Sequence, residues 1–158
     1  MAIRQSDLRS AARRPARGIT TLQEAKPRGA ATVFLSHSHN DAELARGLVT
    51  WLNEAGWSVY VDWEDTEMPD KPDRETAARI KQRIQELDFF LFLATENSMR
   101  SRWCPWEIGY ADGVKQIDRL LVIPTSDNTT THGNEYLDVY RRIDTDTYGA
   151  IGTMRPGR

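Results

Sequence analysis

Short apolar runs alternate along this chain with stretches whose apolar residues recur every three or four positions, the signature of strands and helices taking turns. Thr32–Ser36 is a brief apolar, β-rich run of the kind buried in a parallel sheet. After the polar turn Ser36–Asp41, apolar residues at 44, 48, 49, 51, 52 and 55 predict a helix, which Gly56 stops. Trp57–Val61 predicts the next strand. The acidic, proline-punctuated stretch Asp62–Pro72 reads as a long loop, and loops of that length in compact domains tend to be functional. Asp73 is placed to cap a helix that buries Ala77, Ile80, Ile84 and Leu87. Asp88–Ala94 is the most apolar segment and reads as the central strand. Arg119–Ile123, closed by Pro124, is a further strand, Ser126–Gly133 a polar loop, and Glu135–Ile143 a short helix or last strand that the pattern does not separate. The alternation predicts an α/β fold: a central parallel sheet of about five strands with helices on both faces.

One helix breaks its own pattern. From Trp103 onward, Trp103, Glu107, Tyr110 or Ala111, and Val114 share a face, because residues three and four apart are helix neighbours. Pro105 is tolerated in the first turn, where no intrahelical donor is needed. Glu107 falls in the middle of the apolar stripe, where an unpaired charge is expensive, so something must compensate it. Ligands of open parallel sheets bind beyond the carboxyl ends of the strands, where strand order reverses. If the first and third strands flank that point, the loops Ser36–Asp41 and Thr95–Arg102 border the crevice and Glu107 faces it.

Composition then removes alternatives. The 158 residues suffice for one domain with a core. No glycine-rich turn follows the first strand, so neither a P-loop nor a dinucleotide fingerprint is present, and the acidic residues of a phospho-acceptor domain are missing. His37 and His39 lack neighbouring ligands, and no metal is expected. The single cysteine, Cys104, allows no internal disulfide and suits a reducing compartment; it is expected to pack as a small apolar group. No hydrophobic leader opens the chain and no run is long enough to span a bilayer, so a cytoplasmic protein is expected. Residues 1–31 carry seven Lys/Arg against two acids, and the remainder fourteen against twenty-one. The segment 1–31 therefore reads as a basic, flexible tail, with order beginning near Ala31. The acidic body argues against nucleic-acid binding. Residues 151–158 are expected to fray.

The series Val33–Phe34–Leu35–Ser36–His37–Ser38–His39–Asn40–Asp41, then Val59–Tyr60–Val61–Asp62, then Ser101–Arg102–Trp103–Cys104–Pro105–Trp106–Glu107–Ile108–Gly109 resembles the Toll/interleukin-1 receptor (TIR) domain family, in particular bacterial members of Thoeris-type antiphage defence systems. The resemblance runs from Thr32 to Ile143 and places a TIR domain at 32–150. It implies a flavodoxin-like fold and cleavage of NAD+ at the nicotinamide–ribose bond. It assigns the catalytic carboxylate to Glu107, in a Trp-Cys-x-x-Glu setting. Asp62–Pro72 matches the family's BB loop, used in contacts between TIR copies, although Met68–Pro69–Asp70 replaces the usual Pro-Gly. The chemistry agrees, since leaving nicotinamide puts positive charge on the ribose, which a carboxylate can stabilise, and departs neutral without a general acid. Ser36, His37 and Ser38 are candidate phosphate contacts at a helix start, with simple capping an equal alternative; Ser98 on the third-strand loop and Trp103 as a stacking face complete the candidate substrate contacts. NAD+ is expected as substrate, with no cofactor, and a separate effector is expected to be reached through the product. Two other readings stand beside this one: a non-enzymatic adaptor working through TIR–TIR contacts, and a nucleoside deoxyribosyltransferase-like enzyme.

Overall fold

The computed structural model describes residues 1–15, 22–57, 59–62, 73–136, 139–145 and 151–154. In chain order these form β1 (Ile3–Arg4), α1 (Gln5–Ala12), α2 (Leu22–Arg28), β2 (Ala31–Ser36), α3 (Ala42–Glu54), β3 (Val59–Asp62), α4 (Arg74–Glu86), β4 (Phe89–Ala94), α5 (Glu96–Arg100), α6 (Cys104–Val114), β5 (Leu120–Ser126), β6 (Thr131–His132), β7 (Arg141–Thr145) and β8 (Ile151–Met154). Strands β3, β2, β4, β5 and β7 lie side by side in that order, all parallel, with β8 antiparallel on the β7 edge. The apolar run Phe89–Ala94 is indeed the middle strand of the five. Because β2 leads outward to β3 and the chain then returns to β4 on the other side of β2, the order reverses between β2 and β4. In open parallel sheets that reversal is where ligands bind, beyond the carboxyl ends of the strands.

Side-chain alternation along the strands divides the core in two. Val33, Leu35, Leu91, Leu93, Leu121 and Ile123 face Leu44, Leu48 and Leu52 of α3, while Phe34, Phe90, Phe92, Leu120 and Val122 face Ile80 and Ile84 of α4 and Ile108 and Ala111 of α6. The helix boundaries follow their signals. Asp73 caps α4 by accepting from the Thr76 N–H at 2.8 Å. Beyond α3, Gly56 takes φ +86°, which lets Trp57 N–H reach back to Leu52 O at 3.1 Å.

The N-terminal expectation is corrected. Residues 3–12 do not form a mobile arm: β1 pairs parallel with the end of β5, and α1 packs across α3. Although segment 1–31 carries seven basic residues, the side chains of Ile3, Leu8 and Ala11 within it are fully buried. The crossing depends on Gly47 of α3, where a Cβ would lie 1.8 Å from the Leu8 carbonyl oxygen. Residues 16–21 of the expected tail lie outside the described residues. At the other end, residues 151–154 pair as β8 rather than fray, and 155–158 lie outside the described residues. The undecided stretch 135–143 resolves into a short 3-10 turn at Asn134–Tyr136 and the strand β7. Of the acidic loop, Asp62 ends β3 and is held by Arg83 of α4, with Arg83 Nε 2.9 Å from Oδ2, and residues 63–72 lie outside the described residues. Among the described residues, no helix is long and apolar enough to cross a membrane.

Candidate active site

The site is built where β2, β4 and α6 converge. Ser101 ends the short helix α5, and its hydroxyl oxygen accepts the N–H of Trp103 at 3.1 Å and of Cys104 at 3.2 Å. That seats the start of α6 and leaves Pro105 in the first turn, as the sequence requires. One turn on, the Glu107 N–H bonds Trp103 O at 2.8 Å, closing the four-residue spacing predicted between the two side chains. Glu107 is only 4% exposed, and the hydroxyl of Ser36, the last residue of β2, donates to its Oε1 at 3.1 Å. A carboxylate from one side of the switch point is thus held by a hydroxyl from the other. The stripe continues through the buried Ala111 but not to Val114, which is 44% exposed at the helix end.

Cys104 lies beside this pair. Burial first, and the Glu107 charge second, push its thiol up to about 12, so it stays protonated at neutral pH and packs rather than attacks.

The remaining sequence candidates divide. Ser36 spends its hydroxyl proton on Glu107, so it orients the carboxylate; the expected phosphate contact would have to come from elsewhere on the loop. The His37 ring donates from Nδ1 to Leu35 O at 3.1 Å, because a carbonyl can only accept. Ser38 is buried and caps the turn that follows, its Oγ accepting Asn40 N–H at 3.3 Å. Ser98 is fully buried, accepts Thr95 N–H at 2.8 Å and donates to Leu93 O at 2.7 Å, as part of a capping box at the start of α5. Trp103 lies at the N-terminus of α6. At 9% exposure it presents little open face for stacking; its ring meets Trp106 edge-on at 5.5 Å and anchors the start of α6 in the core.

Sequence reasoning also passed over the ties between the two loops. Asp41 is 4% exposed and accepts from Thr95 Oγ1 at 2.5 Å and from Asn97 Nδ2 at 2.8 Å. The Thr95–Ser98 spacing carried a capping signal, but nothing in the sequence pairs Asn97 with Asp41. Among the described residues, no group of three His, Cys, Asp or Glu could hold a metal ion.

A five-stranded parallel sheet in this order, with a buried carboxylate seated at its reversal point, defines a flavodoxin-like α/β domain. The chain belongs to the TIR domain family, whose sequence pattern matches residues 33–150. It is 41% identical over 125 residues to a probable 3' cyclic ADP-D-ribose synthase ThsB' of Bacillus cereus (strain MSX-D12), covering 77% of this chain and 62% of that protein. It is also 32% identical over 84 residues to a putative cyclic ADP-D-ribose synthase TIR2 of Cytobacillus dafuensis, covering 50% of this chain and 22% of that one. The chain thus spans less than two thirds of the length of the curated relatives it matches.

Proposed function

We propose that this TIR domain cleaves NAD+ at the nicotinamide–ribose bond and makes a cyclic ADP-ribose signal in antiphage immunity. The observation that carries the reading is the Glu107 carboxylate, buried at the reversal point and oriented by the Ser36 hydroxyl. The names of the two relatives, both synthases of cyclic ADP-D-ribose, support the same product class.

In this mechanism the bond between ribose C1' and the pyridinium nitrogen breaks, and its electron pair neutralises the departing nicotinamide. Glu107 stands against the positive charge left on the ribose. An acceptor hydroxyl or ring nitrogen within the same ADP-ribose then bonds to C1'; where it is a hydroxyl, Glu107 takes its proton. Ser36 fixes the carboxylate rotamer, so the charge does not reorganise during the reaction. His37, Ser38 and the loop they occupy border the diphosphate, and Trp103 holds the start of the helix that bears Glu107. NAD+ serves as substrate, the site works in the cytoplasm, the product reaches a separate effector, and copies of the domain associate through the Asp62–Pro72 loop.

The test is incubation of the pure protein with NAD+, following nicotinamide release and identifying the nucleotide product. Release that Glu107→Gln abolishes, with a cyclic product, supports the reading. Release unaffected by that substitution overturns the assignment of Glu107, and hydrolysis to linear ADP-ribose alone overturns the cyclase.

A further inference from the structure

Asp41 occupies the residue before α3, the position at which an aspartate ordinarily turns back to cap its own helix. It does not do so: its side chain makes no capping bond to α3. Instead the carboxylate crosses the reversal point, taking the Thr95 hydroxyl on one oxygen and the Asn97 amide on the other. Both partners belong to the segment after β4. Thr95 is in turn locked to Ser98, and Ser98 to Leu93 O, so the segment that Asp41 holds is itself rigid. That segment leads through Ser101 into the start of α6. A second tie between the same two sides is the Ser36–Glu107 bond. Two polar ties therefore span the reversal point, and only one includes the carboxylate assigned to chemistry. A helix cap would be satisfied locally; a carboxylate 4% exposed and spent wholly on the opposite loop is placed to fix a distance.

We propose that Asp41 is a positioning residue of this site: its carboxylate ties the loop leaving β2 to the loop leaving β4 and so sets the spacing across which Glu107 meets its substrate. The proposal rests on the NAD+-cleaving reading above, and its mechanical part can be judged without it. Asp41→Ala releases both donors. The expected result is a kcat per folded molecule lower by about ten- to a hundred-fold, the scale on which displacements near 1 Å are felt. KM for NAD+ changes by less, and amide hydrogen exchange across residues 95–101 becomes faster. Asn97→Ala, which removes one donor from the exposed side and leaves Thr95 bonded, gives a smaller loss in the same direction and serves if Asp41→Ala does not fold. Asp41→Asn keeps an acceptor for Thr95 and recovers part of the lost kcat. Exchange at 95–101 equal to wild type overturns the tie. A kcat per folded molecule within twofold of wild type in both alanine variants overturns the positioning role. If the wild-type protein releases no nicotinamide, the functional reading fails instead; faster exchange in Asp41→Ala then still supports the tie, and unchanged exchange still removes it.

Discussion

Replacing Glu107 by glutamine separates chemistry from architecture, because the two roles predict opposite changes in stability. The carboxylate is 4% exposed, and moving such an ion out of water costs several kcal/mol even after relaxation. The Ser36 hydroxyl at 3.1 Å returns about 1.5–3 kcal/mol, the worth of a hydrogen bond to a charged group. Glutamine has nearly the same shape, and its amide oxygen can still accept from Ser36 at about 1 kcal/mol, while the ionic desolvation disappears. The variant should therefore be as stable as wild type or more stable by about 1 kcal/mol, an upward shift of about 2–4 °C in a domain of this size. Its NAD+ cleavage should fall by a factor of about 10²–10⁴, the range for removing a charged or proton-accepting group from a transition state. Thermal unfolding followed by circular dichroism and nicotinamide release on the same preparation measure both. Loss of more than about 2 kcal/mol, with residual activity tracking the folded fraction, would show that the carboxylate serves the fold and that the catalytic argument is mistaken.

Other substitutions probe the surroundings. Gly47→Ala drives a methyl group into the Leu8 carbonyl, at 1.8 Å before relaxation, so α1 should lift from α3 at a cost of about 1–3 kcal/mol or more; urea unfolding and faster proteolysis within residues 1–15 would report it. Cys104, buried and held up to about 12, should resist iodoacetamide in the native protein at pH 8 and react at the rate of unfolding. Between the ordinary thiol range near 9 and about 12 only the folded state keeps that proton, so stability falls as pH rises through this window; the drop in urea midpoint from pH 8 to pH 10 should be smaller in Cys104→Ala. Ser98→Ala strands Leu93 O and Thr95 N–H in the interior and should cost about 1–3 kcal/mol by urea denaturation, whereas a several-fold rise in KM for NAD+ would return Ser98 to the substrate contacts.

What the sequence made legible was whatever a local period or a local cap encodes. The run 89–94 became the middle strand, Asp73 and Gly56 bounded their helices, and Glu107 was conspicuous because a charge interrupted an apolar stripe. Relations between distant segments were not legible. Ile3, Leu8 and Ala11 mark a buried face only once Gly47, some forty residues later, supplies a groove for it; read alone, the segment is dominated by its arginines. Ser36 stands where a phosphate-binding hydroxyl would, and only the packing of α6 against β2 reveals that its proton goes to Glu107. Ser98 and Trp103 were placed by position in a loop or helix, whereas burial decides what a side chain can touch.

The distribution of buried polar groups ties these findings together. On both faces of the sheet the described core is apolar down to its amino edge, apart from threonines such as Thr32 and Thr76. At the carboxyl edge the pattern inverts: Ser36, Ser38, Asp41, Thr95, Ser98, Glu107 and Thr125 are all buried. Even α1 enters this layer, since its Gln5 donates to Thr125 Oγ1 at 3.1 Å and Thr125 donates to Ala94 O at 2.5 Å, at the end of β4. Stability alone does not favour such a layer, because apolar residues of similar volume would fill the same space without desolvating three carboxylates, Asp41, Glu107 and Asp144. Sequences depart from local rules where function requires it, and the departures here collect at the carboxyl edge, where strand order reverses. Asp41 and Glu107 thus make two separate polar ties between the segment leaving β2 and the segments that follow β4, one through Thr95 and Asn97 and the other through Ser36.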